Sequence, residues 1–233
     1  MRSIQPPRDS ALPNAQAFVR FPINGITADT IYVAGGGQPN ASKPWVVREG
    51  NVMRMAVVVP FQPRAFHVVD RTGGFITGFS SEYLLRRTTN GRDTVALFGR
   101  DWSPTPVSSE EKTRIAEQRI AEVAANNTGE IAEATLRASF DPSYIPDVRP
   151  AFEGVWVDAS GRTWVRLGES DTTKVFFDLY DQKGRWLDVL SVPASDWPKS
   201  PWIPIALGKQ VIAVPLEGDD GRPLVRVFRI ERR

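Results

Sequence analysis

"GVWVDASGRTWVRL", residues 154–167, reads as two short strands with a tight reversal between them. Val155 and Val157 alternate with Trp156 and Asp158, Ala159-Ser160-Gly161 turns the chain, and Thr163-Trp164-Val165 starts back. A similar phrase, "AFHVVDRTGGFITG", stands at residues 65–78. Each has an apolar strand ending in Val-Asp, a glycine three residues after the aspartate, and then a strand with an aromatic residue at or near its start. A repeated hairpin points to a repeated fold unit.

Working outward, short runs rich in Val, Ile, Phe, Tyr and Trp recur between Gly, Asn, Asp and Pro. "AFVRFPI", "TIYVAGG", "WVVRE" and "VMRMAVVV" read as one group of four strands. "AFHVVD", "FITGFS", "YLLRRTT" and "TVALFG" form a second, and "GVWVDA", "TWVRLG", "KVFFDLYD" and "WLDVLSV" a third. The last group has three strands, "WIPIALG", "QVIAVPL" and "LVRVFRIE". Asn90-Gly91, Lys183-Gly184 and Asp220-Gly221 supply turn residues tolerant of positive φ. Groups of four antiparallel strands at roughly 40-residue spacing are the signature of propeller blades. The expected fold is all-β: a β-propeller-like arc of about four antiparallel blades, a half-propeller, with one helical insertion.

The insertion spans residues 105–142. Residues 108–139 are Ala- and Glu-rich, Ser108 and Glu111 have capping-box spacing, and Ala116, Ile120, Val123 and Ala124 make an apolar stripe at helical spacing. Asn126-Asn127 and Gly129 interrupt it, which predicts a helical hairpin or a bent helix that packs its stripe on a sheet. Residues 1–16, Pro-rich and polar, are expected to be an arm, and residues 17–233 a single domain.

Composition excludes several classes of function. A formal net charge of +2 without a long Lys/Arg run argues against a nucleic-acid partner. The absence of cysteine rules out disulfides and thiolate chemistry. No apolar stretch approaches the ~20 residues that cross a bilayer, so no membrane partner is expected. "MRSIQPPRDSALPNAQ" lacks an apolar core, which predicts no signal peptide in this chain and leaves its compartment open.

"VPFQPRAFHVVDRTGGFITGFSSEYLLRR", "FEGVWVDASGRTWVRL" and "LVRVFRIERR" resemble the C-terminal part of a bacterial six-bladed β-propeller of the TolB-like, NHL and SMP-30/gluconolactonase type. The resemblance covers roughly residues 44–233, and it suits an exported or periplasmic bacterial protein. The chain departs from that pattern in having about four blade-like units, the last lacking an outer strand. Its own N-terminal strand completing a small closed ring is one solution. A second copy closing the ring is the other, and a homodimer is the expectation.

Blades of this type gather "PFQPRA" (60–65), "RPAFEG" (149–154), "SPW" (200–202), "FSSEY" (79–83) and "GESDTTK" (168–174) at one mouth of the channel, with the helical insertion as a lid. Glu153 stands where the resemblance implies a calcium ligand, ahead of an inner strand. The matching position of the preceding blade is Ala65, so a cage needs oxygens from elsewhere. Glu153 is therefore the candidate metal ligand and catalytic carboxylate, with an exposed or Arg-paired loop glutamate as the plainer alternative. His67, the one histidine, is the candidate general base, or else a core residue. Trp202, Glu82, Glu169 and Asp171 are candidate substrate-binding residues. Asp70 and Asp158 read as structural turn residues. No Gly-x-Ser-x-Gly elbow occurs, and "AGGG" at 34–37 lacks the Lys of a phosphate loop.

Two functions follow. One is a hydrolase of esters, lactones or phosphotriesters, calcium-assisted, at the channel mouth. The other is a non-catalytic propeller that binds a peptide, glycan or small ligand at the same mouth, lined by Trp45, Trp102, Trp156 and Trp202.

Overall fold

The alternation of apolar and polar residues that marks the strands is realised throughout as antiparallel pairing between sequence neighbours. The computed structural model describes residues 2–4, 16–20, 29–33, 43–126, 131–168, 173–198, 205–208, 210–218 and 221–230. It divides into two compact units, one of residues 1–38, 65–102 and 151–233, the other of residues 39–64 and 103–150.

Among the described residues, the first unit contains four sheets. The first is β1 (Arg2–Ile4), β2 (Gln16–Arg20) and β3 (Asp29–Val33). The second is β6 (Ala65–Val69), β7 (Phe75–Phe79), β8 (Leu84–Thr88) and β9 (Thr94–Gly99). The third is β10 (Phe152–Val157), β11 (Thr163–Leu167), β12 (Lys174–Tyr180) and β13 (Trp186–Pro193), and the fourth is β14 (Ala206–Leu207), β15 (Val211–Glu217) and β16 (Pro223–Arg229). The second unit holds the hairpin of β4 (Trp45–Glu49) and β5 (Val52–Val57) with helices α1 (Ser109–Asn126) and α2 (Glu133–Ser139). Among the described residues no helix is long and apolar enough to cross a membrane.

The repeated hairpin has a common physical basis. Asp158 N–H donates to Arg162 O and Gly161 N–H to Asp158 O, with Gly161 at φ +76°, a conformation glycine adopts without penalty. Asp70/Gly73, Asp181/Gly184 and Gly218/Gly221 repeat the glycine-to-first-residue bond. The Asp158 side chain is fully buried. It accepts from Ser160 N at 2.7 Å, Arg162 N at 3.0 Å, Arg162 Nε at 2.6 Å and Trp164 Nε1 at 3.1 Å. Asp181 makes the same set with Lys183 N, Arg185 N and Arg185 Nε. At Asp70 the fourth residue on is Gly74, and the guanidinium comes instead from Arg87 of β8, at 3.3 Å. Asp70 and Asp158 are thus turn residues, as the sequence predicts.

Consecutive sheets of the first unit meet through apolar seams. Phe18 and Val33 of the first sheet pack on Phe75 of the second. Ile76, Leu85 and Phe98 of the second meet Phe152, Val155 and Val165 of the third. Trp164, Phe177 and Leu179 of the third meet Ile212 and Val214 of the fourth. Burying a large apolar side chain contributes about 1.5–3 kcal/mol, so these seams dominate the stability of the unit. Arg87 also crosses the second seam, donating to Gln182 O at 2.6 Å and Thr163 Oγ1 at 3.1 Å.

In the second unit, Trp45 and Val47 of β4 pack with Ala116 and Ile120 of α1, with Leu136 of α2 and with Phe140 at its end. The Trp45 indole N–H donates to Asp141 O at 2.9 Å. Ser108 Oγ accepts from Glu111 N at 3.1 Å, the expected cap. The reciprocal half of the capping box is missing, because the Glu111 carboxylate is taken by Arg149, whose guanidinium lies 4.1 Å from the centre of the Phe61 ring. Ala116 and Ile120 of the predicted stripe are buried, whereas Ala124 is exposed.

The helices fall inside the predicted 105–142 segment. The grouping of the first four strands differs from expectation. β2 and β3 pair with β1, a strand inside the predicted arm, while β4 and β5 form their own hairpin under the helices. The hairpin joins the helices in the second unit because Trp45 finds its apolar partners there.

Candidate functional site

Glu153 lies in β10 at a break in register. Phe152 pairs with Leu167 and Gly154 with Arg166, so Glu153 is the extra residue of a β-bulge. Bulges redirect side chains at sheet margins. Here the carboxylate Oε2 meets Arg166 NH2 of β11 at 3.1 Å, with about a quarter of the Glu153 and a fifth of the Arg166 side chain exposed. The plainer alternative of the sequence reading, an Arg-paired glutamate, is what the geometry contains.

Gly154 and Trp156 share the face that carries Arg166 and Trp164, by register. The Trp156 ring lies directly over Gly154, where a Cβ would fall 2.1 Å from a ring carbon. Only glycine admits the ring there. Trp156 makes edge contacts with Phe177 and Trp197, at centroid distances of 6.2 and 6.0 Å, and remains partly exposed. The result is a charged pair of opposite signs beside an aromatic surface. Two loops predicted to share a mouth do meet nearby, because Ala151 N–H donates to Ser80 O at 2.8 Å.

His67 stands elsewhere. Alternation along β6 turns Phe66 and Val68 toward the third sheet, where Phe66 packs on Phe152 at 5.2 Å. His67 faces the opposite way, its ring edge-on to Phe18 of the first sheet at 6.3 Å. Its Nδ1 is buried with no hydrogen-bond partner, and burial pushes its pKa below the ordinary 6.5. Glu153 and His67 occupy different seams and do not form an acid–base pair.

Glu82 is exposed in the β7–β8 loop, where its backbone N–H closes a turn onto Phe79 O at 3.3 Å. Trp202, Glu169 and Asp171 lie outside the described residues. Of the tryptophans expected at the mouth, Trp45 is fully buried in the second unit and Trp102 is packed against the second seam. Glu153 is committed to Arg166, and among the described residues no group of three or more His, Asp or Glu side chains is placed to hold a metal ion.

A polar cluster that the sequence reading missed bridges the second and third sheets. Asp178 of β12, fully buried, accepts from Tyr83 OH at 2.6 Å and from Arg100 Nε at 2.9 Å. Burial and the Asp178 charge hold the Tyr83 hydroxyl far above its ordinary pKa, and burial raises that of Tyr180 to about 12. The signal available was an aspartate interrupting the apolar run Val175–Tyr180. Its partner Tyr83 lies 95 residues away, beyond any local pattern.

No family model and no curated protein matches the chain.

Proposed function

We propose that the chain is a β-propeller-type binding module, its four sheets acting as blades. It would receive a polar ligand at the start of β10, where Glu153, Arg166 and Trp156 meet. The observation that carries this reading is the partly exposed Glu153–Arg166 pair beside the Trp156 ring. A guanidinium offers planar donors to a carboxylate, a carboxylate accepts from N–H or O–H groups, and an indole face supplies apolar area. Peptides and glycans present that combination. Binding takes precedence over hydrolysis because Glu153 is engaged by Arg166 and His67 lies in another seam.

The test is a tryptophan-fluorescence titration with short peptides, oligosaccharides and small carboxylates. It is run on the native chain, Arg166→Ala and Glu153→Gln, with melting curves to verify folding. Saturable binding lost in both variants is the expected result. Turnover of an ester, lactone or phosphotriester that needs calcium, stops with EDTA and is abolished by Glu153→Gln would replace it with the calcium-assisted hydrolase implied by the sequence resemblance.

A further inference from the structure

We propose that the margin of the seam between the second and third sheets is a separate binding site, which takes an aromatic carboxylate through Arg100 and Trp186. Arg100 follows β9 and Trp186 opens β13, the edge strands of the two sheets. One buried group holds both. Asp178, which Tyr83 OH already bonds, also accepts from Arg100 Nε at 2.9 Å and from the Trp186 indole N–H at 3.5 Å. The Arg100 guanidinium lies 5.5 Å from the centre of the Tyr83 ring, so an ion pair and an aromatic face together fix its plane.

This anchoring is combined with exposure. Arg100 keeps 41% of its side chain in solvent, and Trp186 is 54% exposed, the most exposed of the described tryptophans. Trp45, Trp164 and Trp197 are buried. A polar staple across the seam needs only Tyr83 and Asp178, and it gives no reason to leave an indole in water. Trp and Arg side chains dominate binding energy at surfaces, and holding them in place beforehand lowers the cost of binding. A second observation points the same way. Tyr180 stands opposite Trp186 in register, and the charges of Asp178 and Arg100 act on its hydroxyl, which is buried without a hydrogen-bond partner. An orphaned buried hydroxyl calls for an explanation, and a bound molecule that carries an acceptor supplies one.

The chemistry on offer names the ligand class. Asp178 is fully buried and engaged, so the guanidinium and the indole are what the site turns to solvent. A guanidinium matches the two coplanar oxygens of a carboxylate, and an indole face takes another ring. An aromatic carboxylate presents both, as a free acid or as the C-terminal residue of a peptide. This inference does not rest on the ligand site at Glu153.

Calorimetric titration with benzoate tests it, alongside benzamide, acetate and glycyl-phenylalanine. Benzoate is expected to bind saturably. Benzamide and acetate should bind at least about tenfold more weakly, since each lacks one of the two contacts. Tighter binding of glycyl-phenylalanine than of benzoate supports the site with a peptide terminus as its ligand, and the reverse order supports it with a free acid. Arg100→Lys and Trp186→Ala, each checked by circular dichroism, should weaken benzoate at least about tenfold, and Trp186→Phe should retain it. No benzoate binding at millimolar concentration, or benzamide bound as tightly as benzoate, overturns the proposal whether or not the variants fold. So does benzoate binding that folded Arg100→Lys or Trp186→Ala leaves intact, or that Arg166→Ala abolishes, which would assign it to the Glu153 site.

Discussion

At the residue scale, His67 is a pH-sensitive element of the first seam. It is held neutral by burial against Phe18, and Thr77 and Arg86 share its face of the second sheet. Asp29 lies on the face of the first sheet that carries Phe18. Because its folded pKa is lowered, the unfolded chain takes up the proton first as the pH drops through about 6.5. The contribution is fully present above that pH and is lost below it. Melting temperature should therefore fall between about pH 7 and about pH 5, and His67→Phe should flatten that part of the curve. An unchanged slope in the variant would show that other groups set the acid sensitivity. Among single residues, Asp70 and Asp158 were legible in the sequence because their work is local, on amides two to four residues away. The role of Arg87 was not, since it binds Asp70, Gln182 and Thr163 from a third strand.

Single elements tell a similar story. The start of α1 was legible because a cap is a local device, and Ser108 Oγ does hold Glu111 N–H. Ser108→Ala should cost about 1 kcal/mol, read as a lower denaturant midpoint with an unchanged slope. A variant as stable as the native chain would mean that solvent satisfies that amide equally well. The carboxylate of Glu111 escaped prediction because its partner Arg149 comes from the far end of the helical segment. Alternation in "WVVRE" and "VMRMAVVV" marks strands correctly but carries no information about which sheet they join. That choice is made by Trp45, which finds Phe140 and Asp141 almost a hundred residues later. Of the candidate site, the place of Glu153 near the start of β10 is legible in the sequence. It hides the bulge, which depends on the pairing of Phe152 and Gly154 with β11.

For the whole molecule, the seams between sheets decide stability, and Tyr83–Asp178 is the most exacting polar contact across one of them. Tyr83→Phe removes a donor from a carboxylate that has no access to water. The loss should be roughly 1.5–3 kcal/mol, the range for hydrogen bonds to charged groups, measured by urea unfolding. A change well below that range would show that Arg100 and Trp186 satisfy Asp178 without the Tyr83 hydroxyl.

The interleaving of the two units has a consequence for how the chain comes into being. The second unit draws on residues 39–64 and 103–150, and the first continues to residue 233. During synthesis from the N-terminus, neither half of the second unit can find its partner until the whole β6–β9 segment between them has left the ribosome. The second unit is nonetheless the first whose full set of residues has emerged, while the first unit waits for its third and fourth sheets. Vectorial synthesis thus orders the assembly: local hairpins early, the helix-covered hairpin next, and the seams holding Asp178 and Trp164 last.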